Sequence, residues 1–363
     1  MTAPLDRAEP VRPGQGLELD ALARWLRAHP LEGVALEGPL EVLQFPRGYS
    51  NLTYLVRAGD AEVVLRRPPV GVAIASAHDM GREHRILSTL RGAWPKVPRT
   101  LGFEADASVL GAPFYVMERV PGVILRARTP VGLELGEATM RSLSEAMVDT
   151  LVEIHAVDLD AAGLGGLGRP EGYAERQVRG WSERYRKAQT DEVPEIEAVA
   201  AWLASNLPPF VSGTLVHNDF KYDNVVLSPA LDAVRAVLDW EMATLGDPLM
   251  DLGCALGYWI QADDSPVLHA MRFGPTDLRG SLTRMQVVER YEARSGRAVT
   301  HLPFYMAFAV FKLAVVAQQL YQRFARGLTQ EPRYAMMIEG VRGLGRAGAR
   351  IIDTGRIDVL DLG

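Results

Sequence analysis

Polar residues interrupt an apolar run near the middle of this 363-residue sequence. His217 and Asp219 stand two positions apart, and Asn224 follows further along the same segment. A second acidic pair, Asp239 and Glu241, closes the next apolar run. Phosphoryl transfer requires a carboxylate that accepts a hydroxyl proton, together with oxygen ligands for Mg²⁺. The residue types between positions 215 and 251 therefore predict that chemistry.

The spacing H-x-D-x-x-x-x-N predicts three catalytic residues, His217, Asp219 and Lys221. Asp219 suits the base that orients the attacking hydroxyl and takes its proton. Lys221 stands between the base and the amide, where a cation offsets the charge of a γ-phosphate.

The predicted metal ligands are Asn224, Asp239 and Glu241. Asp239 suits the Mg²⁺ ion that bridges the phosphates, and Glu241 suits a metal-bound water or a second ion. Mg²⁺ prefers oxygen ligands and keeps several waters, so few protein ligands are needed. Two short apolar segments joined by a turn predict a β-hairpin whose ends present these groups side by side.

Upstream, apolar runs predict strands at residues 40–45, 53–58 and 61–66, and a helix is predicted at 77–90. Arg66 ends the third strand, and a charged residue that closes a buried strand needs a partner. Glu83, on the predicted helix, supplies one, and such a strand–helix pair is found in kinases. The alternative is that both are unrelated surface residues.

The turn between the first two strands carries Gly48, Ser50 and Asn51. Glycine lets the backbone approach a bound group closely, and the two polar side chains supply hydrogen-bond donors. The alternative is a plain hairpin loop.

An apolar strand at 114–118 runs into Pro121 and Gly122, which predicts a hinge at residues 118–122. We predict two lobes, at residues 1–119 and 120–363. After the hinge, helices are predicted at residues 139–157, 181–188, 196–207, 252–260, 281–296, 303–327 and 331–350, and an earlier one at 17–28. His155 is predicted to be a core or capping residue.

Two segments, 163–168 and 343–348, match G-x-G-x-x-G. A dinucleotide site would need a strand before the motif and a helix after it, so neither is predicted to bind a cofactor.

The composition restricts the partners and the compartment. A net charge of −6 and a pI near 5.7 argue against a general nucleic-acid binder. Cys254 is the single cysteine, which excludes an intrachain disulfide and fits the cytosol. No signal peptide is recognised, and the apolar run at 304–321 is broken by Lys312, so a buried helix is predicted and no membrane span.

Three motifs resemble a known family: F-x-x-G-x-S-N-x-T-Y, L-R-R-P-P and L-D-W-E. Over residues 40–321 the sequence is similar to the aminoglycoside phosphotransferase and choline kinase-like family. It resembles most the branch that is fused to acyl-CoA dehydrogenase domains in animals. The resemblance implies an α+β, bilobal protein-kinase-like fold, with an antiparallel sheet and a helix in the N-lobe and a mainly helical C-lobe. It also implies ATP and Mg²⁺.

The resemblance gives Asp219 the role of base, makes Asn224 and Asp239 metal ligands, and places Arg66 where the family often has a phosphate-binding lysine paired with Glu83. The predicted nucleotide-binding residues are Gly48, Ser50, Asn51, Arg66, Glu83, Met117, Glu118 and Val120.

Asp247 and Asp251 match the family motif G-D-P-x-x-D, which braces the catalytic loop. The sequence departs from the family at Asn218, where many members have glycine, and at Arg66, since arginine and lysine are not interchangeable.

Three functions remain open. The first is a kinase of a small hydroxylated molecule, anionic and of the hydroxyacyl or CoA-linked class. The second is an aminoglycoside kinase, and the third is a nucleotide-binding pseudokinase. A protein kinase is disfavoured because no Asp-Phe-Gly or Ala-Pro-Glu motif is present.

Residues 265–350 carry thirteen Lys and Arg against five Asp and Glu, which favours an anionic acceptor if several of the cations face the cleft. The arginines concerned include Arg272, Arg279, Arg284, Arg290, Arg323, Arg326 and Arg342. The alternative is that they lie on solvated helix faces.

Overall fold

A computed structural model describes residues 6–45, 51–69, 79–130, 132–358 and 360. Six strands form one antiparallel sheet: β1 (Glu9–Pro10), β2 (Glu41–Gln44), β3 (Leu52–Ala58), β4 (Ala61–Arg67), β5 (Thr100–Glu104) and β6 (Phe114–Glu118). Their order across the sheet is β1-β2-β3-β4-β6-β5, and every neighbouring pair is antiparallel. The sheet and its flanking helices give the α+β, kinase-like fold that the sequence predicts.

The alternation of side chains along β4 decides which face of the sheet carries Arg66. Val63 and Leu65 pack with α1 (Leu19–Ala28) on one face. Val64 packs on the other face, in the cluster that includes apolar residues of α2 (Met80–Ala93). Because side chains alternate along a strand, Arg66 shares the face of Val64 and points toward α2.

The rest of the chain is mainly helical. Its helices are α3 (Ala107–Leu110), α4 (Glu137–His155), α5 (Tyr173–Ala188), α6 (Pro194–Ser205), α7 (Pro248–Gly257), α8 (Pro266–Ala270), α9 (Arg284–Ser295), α10 (Leu302–Ala325) and α11 (Met337–Thr354). By length and composition α10 could cross a membrane, but 72% of its apolar window is buried inside the protein. It packs against α5, α6, α7 and α11, as the predicted buried helix should.

Two small antiparallel ladders flank the polar residues between positions 217 and 241. β7 (Thr214–Val216) pairs with β10 (Thr244–Gly246), and β8 (Val225–Leu227) pairs with β9 (Val234–Val237). The pair β8–β9 is the predicted hairpin. The chain passes from one ladder to the other through residues 217–224 and returns through 238–243, so these two connections lie side by side.

Several elements differ from their predicted bounds. α5 begins at Tyr173 instead of residue 181, because its first turns carry many charges that hide the helical period. α7 begins at Pro248 instead of residue 252, since proline suits the first turn and Asp247 caps it. β5 was not predicted, because Gly102 interrupts its alternation at a register shift. The predicted lobe boundary near residue 119 coincides with the end of β6 and stays a prediction.

Candidate active site

A cleft of about 380 Å³ lies between the sheet and the helical part. Eleven predicted site residues line it: Asn51, Arg66, Glu83, Met117, Glu118, Val120, Asp219, Lys221, Asn224, Asp239 and Glu241. His217 lies behind the cleft wall, and Gly48 and Ser50 lie outside the described residues. The fold therefore gathers in one cavity residues that the sequence places as far apart as Asn51 and Glu241.

The carboxylate of Asp219 is held by three side chains. Its Oδ1 accepts a hydrogen bond from the Tyr258 hydroxyl at 2.6 Å. Its Oδ2 accepts hydrogen bonds from Lys221 and from Asn224 Nδ2, the latter at 2.9 Å. Burial would raise the pKa of Asp219, but Lys221 and Lys312 outweigh it and lower that pKa. Asp219 is therefore held as an ionised carboxylate.

The same contacts indicate where a hydroxyl group can approach. Each carboxylate oxygen has about two lone-pair sites. Oδ2 already accepts from Lys221 and Asn224, whereas Oδ1 accepts only from Tyr258 among the described residues. Oδ1 of Asp219 is consequently the oxygen that can receive a further donor.

His217 is fully buried and contacts the backbone on both sides of the site. Its Nε2 donates to the Leu238 carbonyl at 2.9 Å, and its Nδ1 accepts from the Asp219 N–H at 3.2 Å. Burial lowers the pKa of His217, which favours the neutral ring that this pair of contacts needs. The histidine thus positions Asp219 relative to the segment that carries Asp239, and it lies where it cannot touch a ligand in the cleft.

Asp251 holds the backbone of residues 217–224, the catalytic segment, as its motif predicts. Its two oxygens accept the backbone N–H groups of His217 and Asn218, each at 2.7 Å. The predicted core histidine, His155, lies 3.1 Å from the same carboxylate. Asp247 acts differently, because its side chain caps α7 by accepting the Leu249 N–H at 2.8 Å.

Asn218 explains one departure from the family pattern. Its φ of 66° is left-handed, a conformation that glycine adopts freely and that asparagine tolerates better than most residues. Its side chain accepts from the Tyr173 hydroxyl at 2.7 Å and donates to the Met242 carbonyl at 3.0 Å. The asparagine therefore links the catalytic segment to α5 and to the segment after Asp239, which glycine could not do.

Arg66 lies among three carboxylates. One guanidinium nitrogen is 2.5 Å from Asp239 Oδ1 and 3.1 Å from Glu241 Oε2, and Nε is 3.3 Å from Glu83 Oε2. Burial opposes the charge of Arg66, but the carboxylates raise its pKa well above the ordinary value. The predicted strand–helix pair of Arg66 and Glu83 is present, and it extends to the two predicted metal ligands.

Glu83 also connects α2 to the acidic segment, because its Oε1 accepts the Trp240 N–H at 3.1 Å. Burial raises the pKa of Glu83, and Arg66 opposes that rise. Burial and the neighbouring Asp239 raise the pKa of Glu241 to about 8. This corner of the cleft therefore carries more carboxylate than one arginine neutralises, which suits a bound cation.

The donor set fits Mg²⁺. Asn224 uses Nδ2 for two hydrogen bonds to Asp219, which leaves its Oδ1 for a cation. Asp239 adopts a left-handed φ of 68° and lines the cleft with Glu241. Within the described ranges no three His, Cys, Asp or Glu residues form a complete metal site. An amide and one or two carboxylates suffice for Mg²⁺, since waters complete its shell.

A model of the phosphotransferase enzyme family matches residues 41–285. The chain belongs to this family. The mouse protein acyl-CoA dehydrogenase family member 10 is 38% identical over 320 residues, which cover 88% of this chain and 30% of the mouse protein. The chain thus spans less than a third of that relative's length.

Solved structures agree with the family. A Ralstonia eutropha protein provisionally named an aminoglycoside phosphotransferase is 30% identical, with a TM-score of 0.77 over 93% of this chain and 99% of that one. The aminoglycoside phosphotransferase APH(4)-Ia, solved with AMP-PNP and hygromycin B, shares the fold at 17% identity, with a TM-score of 0.57 over 91% and 98% of the two chains.

Apolar side chains line part of the cleft beside the hinge. Met117 and Val120 line it together with Ile124, Val226 and Leu238. Glycine is needed at position 122, the last residue of the hinge, because a Cβ there would lie 2.3 Å from the Leu227 carbonyl oxygen of β8. The Glu118 side chain accepts the Arg99 N–H at 2.8 Å, so it fixes the hinge to the strand beside it.

The excess arginines of residues 265–350 are placed away from the cleft. None of the seven named above is among the described residues that line it. Five of them pair with acids elsewhere, in Arg272–Asp277, Arg279–Glu137, Arg284–Asp264, Arg290–Asp149 and Arg342–Asp191. The positive charge of this region therefore does not itself favour an anionic acceptor.

Sequence reasoning missed two residues of this phosphotransferase site. Tyr258 touches Asp219 and directly follows α7, seven residues after Asp251, a spacing of about two helical turns that a helical projection would have shown. Lys312 lines the cleft from α10 and influences the pKa of Asp219. The sequence does indicate a special role for Lys312, because a single charged residue within an apolar helix needs a polar partner.

The glycines of the two motifs allow close packing. The segment 163–168 forms turns, where a Cβ on Gly168 would lie 2.3 Å from the Thr244 hydroxyl. The segment 343–348 lies within α11, where Gly345 and Gly348 allow close approach to α6.

Proposed function

We propose that this chain transfers the γ-phosphoryl group of ATP, in the presence of Mg²⁺, to a hydroxyl group of a small anionic molecule of the hydroxyacyl or CoA-linked class. The observation that carries the proposal is the convergence of Asp219, Asn224 and Asp239 on one cleft that the hinge residues also line. This is the set of groups that phosphoryl transfer uses.

Asp219 acts on the acceptor. Its Oδ1 receives the acceptor hydroxyl beside Tyr258, orients the oxygen toward the γ-phosphorus and takes the proton as the new P–O bond forms and the bond to the bridging oxygen of the leaving ADP breaks. Lys221 remains charged, because Asp219 overcomes the effect of burial and raises the pKa of the ammonium. The ammonium keeps Asp219 ionised and lies close enough to the site to offset phosphate charge.

Asn224, Asp239 and Glu241 are the residues that would hold Mg²⁺. When bound, the ion supplies positive charge that neutralises the phosphate oxygens. Arg66 lies beside these ligands and lines the cleft, and its guanidinium has N–H donors on three nitrogens, one of which can donate to a phosphate. The AMP-PNP complex of APH(4)-Ia supports ATP as the donor in this proposal.

Two observations support an acyl-type acceptor over an aminoglycoside. The mouse relative bears the name of an acyl-CoA dehydrogenase family member, so its phosphotransferase-like region is joined to a protein named for acyl-CoA. The wall of the cleft from α5 and α10 presents Trp181, Lys312, Leu313 and Val316, with no acid among its described residues. A polycationic antibiotic would need acids there.

The proposal is tested by a screen with γ-labelled ATP and Mg²⁺ against hydroxy acids, hydroxyacyl-CoA compounds, simple alcohols and kanamycin-type antibiotics. We expect labelled hydroxyacyl products. Efficient transfer to the antibiotics alone would support the aminoglycoside alternative instead.

An Asp219→Asn variant separates the kinase from the pseudokinase. We expect turnover to fall by about 10²- to 10⁴-fold, because the base is lost, while nucleotide affinity is kept. The exposed Asp20→Asn variant is the matched control. Unchanged turnover in Asp219→Asn would contradict the proposed mechanism.

A further inference from the structure

Five cationic side chains line the cleft in the described part of the chain: Arg66, Arg119, Arg126, Lys221 and Lys312. Four of them form ion pairs, with Asp239, Glu62, Asp6 and Asp219 respectively. Lys312 forms none with any described residue. It is therefore the one cleft cation, among those described, that forms no ion pair within the chain.

The contacts of Lys312 are with uncharged groups, unlike those of the other four cations. Its side chain is buried, and Nζ donates to the Asn218 carbonyl at 2.5 Å. The next polar atom is Cys254 Sγ at 3.6 Å, and burial raises the pKa of that thiol, so it is a neutral neighbour. An ammonium has three donors, and buried charges in proteins are normally paired. At least one donor of Lys312 is left for a group in the cleft.

The position of this donor relative to the reacting group is set by the backbone. The carbonyl that Lys312 contacts belongs to Asn218, the residue immediately before Asp219. Lys312 and Asp219 also interact electrostatically, since Lys312 lowers the pKa of Asp219. A molecule whose hydroxyl contacts Asp219 would place atoms a few bonds away beside Lys312.

The wall around Lys312 is otherwise apolar. Trp181 of α5 has its ring centroid 5.6 Å from Nζ, and Leu313 and Val316 of α10 continue the surface along the cleft. Val316 is 38% exposed, so an apolar surface remains uncovered. Such a wall accommodates a hydrocarbon chain that leads away from the cation.

We propose that Lys312 binds a carbonyl oxygen of the acceptor, from a carboxylate or from an acyl group, while the acceptor's hydrocarbon chain packs on Trp181, Leu313 and Val316. The acceptor is then a hydroxylated aliphatic acid or its acyl derivative, with the hydroxyl and the carbonyl close together. This assignment rests on the proposed kinase function and names the residue that selects the substrate.

The test compares three acceptors of one chain length: a hydroxy acid, its thioester and the corresponding diol, which lacks the carbonyl. Wild type, Lys312→Met and Lys312→Arg are assayed with each. We expect Lys312→Met to raise KM for the hydroxy acid or thioester about tenfold to a hundredfold, as removal of a charged hydrogen bond should. The KM for the diol should change much less, and Lys312→Arg should recover part of the loss. The acid and the thioester distinguish a carboxylate from an acyl carbonyl.

A merely structural role gives a different result. If Lys312 only braced the catalytic segment through Asn218, Lys312→Met would lower kcat for all three acceptors by one factor, and that outcome would overturn the proposal. A Val316→Glu variant keeps Lys312 but places a carboxylate one helical turn away from it, where the carboxylate can pair with the ammonium and repel an anion. It should lower the ratio of kcat/KM for the acid to that for the diol.

Direct binding separates this proposal from the proposed function. Calorimetry with hexanoate and hexanol needs no phosphoryl transfer. Wild type should bind hexanoate in preference to hexanol, and Lys312→Met should lose that preference while still binding nucleotide. If wild type phosphorylates no acceptor but shows this preference, the kinase function fails and the Lys312 site stands. Equal binding of both probes by wild type would reject the Lys312 site.

Discussion

The guanidinium of Arg66 lies 2.5 Å from the carboxylate of Asp239, although 173 positions separate the two residues in the sequence. This contact joins the central strand of the sheet to the segment that follows the catalytic hairpin. Glu83 and Glu241 surround the same guanidinium. The charge of one arginine thus holds together the two halves of the cleft.

We predict that Arg66→Met lowers the free energy of unfolding by about 3–5 kcal/mol, because it leaves buried carboxylates without their partner. Arg66→Lys should cost less, since it keeps the charge but loses the planar fork. Denaturant unfolding measures both. Arg57→Met is the control, because Arg57 pairs with Glu62 at the protein surface, where water and salt screen the charges and the pair contributes little to stability. An Arg66→Met loss no larger than that of the control would contradict the prediction.

The second prediction concerns pH and Glu241. Its pKa in the folded protein is about 8, whereas the ordinary value for a glutamate is 4.5. Between these two pH values the folded state holds a proton that the unfolded state has lost, so the free energy of unfolding falls as the pH rises toward 8. Between pH 6 and pH 9, with EDTA present, wild type should lose about 2 kcal/mol more stability than Glu241→Gln. Glutamine keeps an acceptor for Asn51 and cannot ionise. Parallel pH profiles for the two proteins would show that Glu241 is not the titrating group.

A third prediction separates strain from hydrogen bonding at Asn218. Both Asn218→Gly and Asn218→Ala lose the contacts with Tyr173 and Met242, at a cost of about 1–3 kcal/mol. Alanine should cost roughly 1 kcal/mol more, because its left-handed φ is strained whereas that of glycine is not. Equilibrium unfolding of the pair gives the difference directly. If the alanine variant were the more stable one, the backbone there could not be left-handed in solution.

The fourth prediction concerns the brace at Asp251. Asp251→Asn replaces one acceptor oxygen with a donor that faces a backbone N–H, in a site with no exposure to solvent. We expect stability to fall by about 3 kcal/mol and kcat to fall as well, with nucleotide affinity little changed. Asp149→Asn, at a partly exposed pair with Arg290, is the control. Wild-type kcat in Asp251→Asn would mean that the loop holds its geometry without the brace.

The reacting groups could be predicted from the sequence because their spacing is local. Asp219 and Asn224 share one short segment, and Asp239 ends the hairpin that follows, so chain connectivity alone brings them together. The pair of Arg66 and Glu83 could be predicted for a similar reason. Arg66 lies on one face of a strand, and the next helix, which carries Glu83, packs on that face.

Residues brought in by tertiary packing were harder to predict. Tyr258 and Lys312 reach the cleft from helices whose packing no local pattern specifies. The positions of the arginines after residue 265 also depend on tertiary packing, and their excess charge alone suggested a basic cleft. Five of the seven named arginines pair with acids outside the cleft, such as Arg290 with Asp149, and pairing of that kind depends on which elements meet in the fold.

Cys254 is the only cysteine in the chain, and it is buried beneath the catalytic segment with a raised pKa. A buried thiol of this kind reacts slowly, so the native protein should take up almost no thiol-reactive label. A single cysteine placed on the exposed rim of the sheet, and another on the exposed side of α10, would each accept a fluorescent label without removal of the native residue. Energy transfer between two such labels would measure the width of the cleft in solution, and whether it changes with each nucleotide and acceptor.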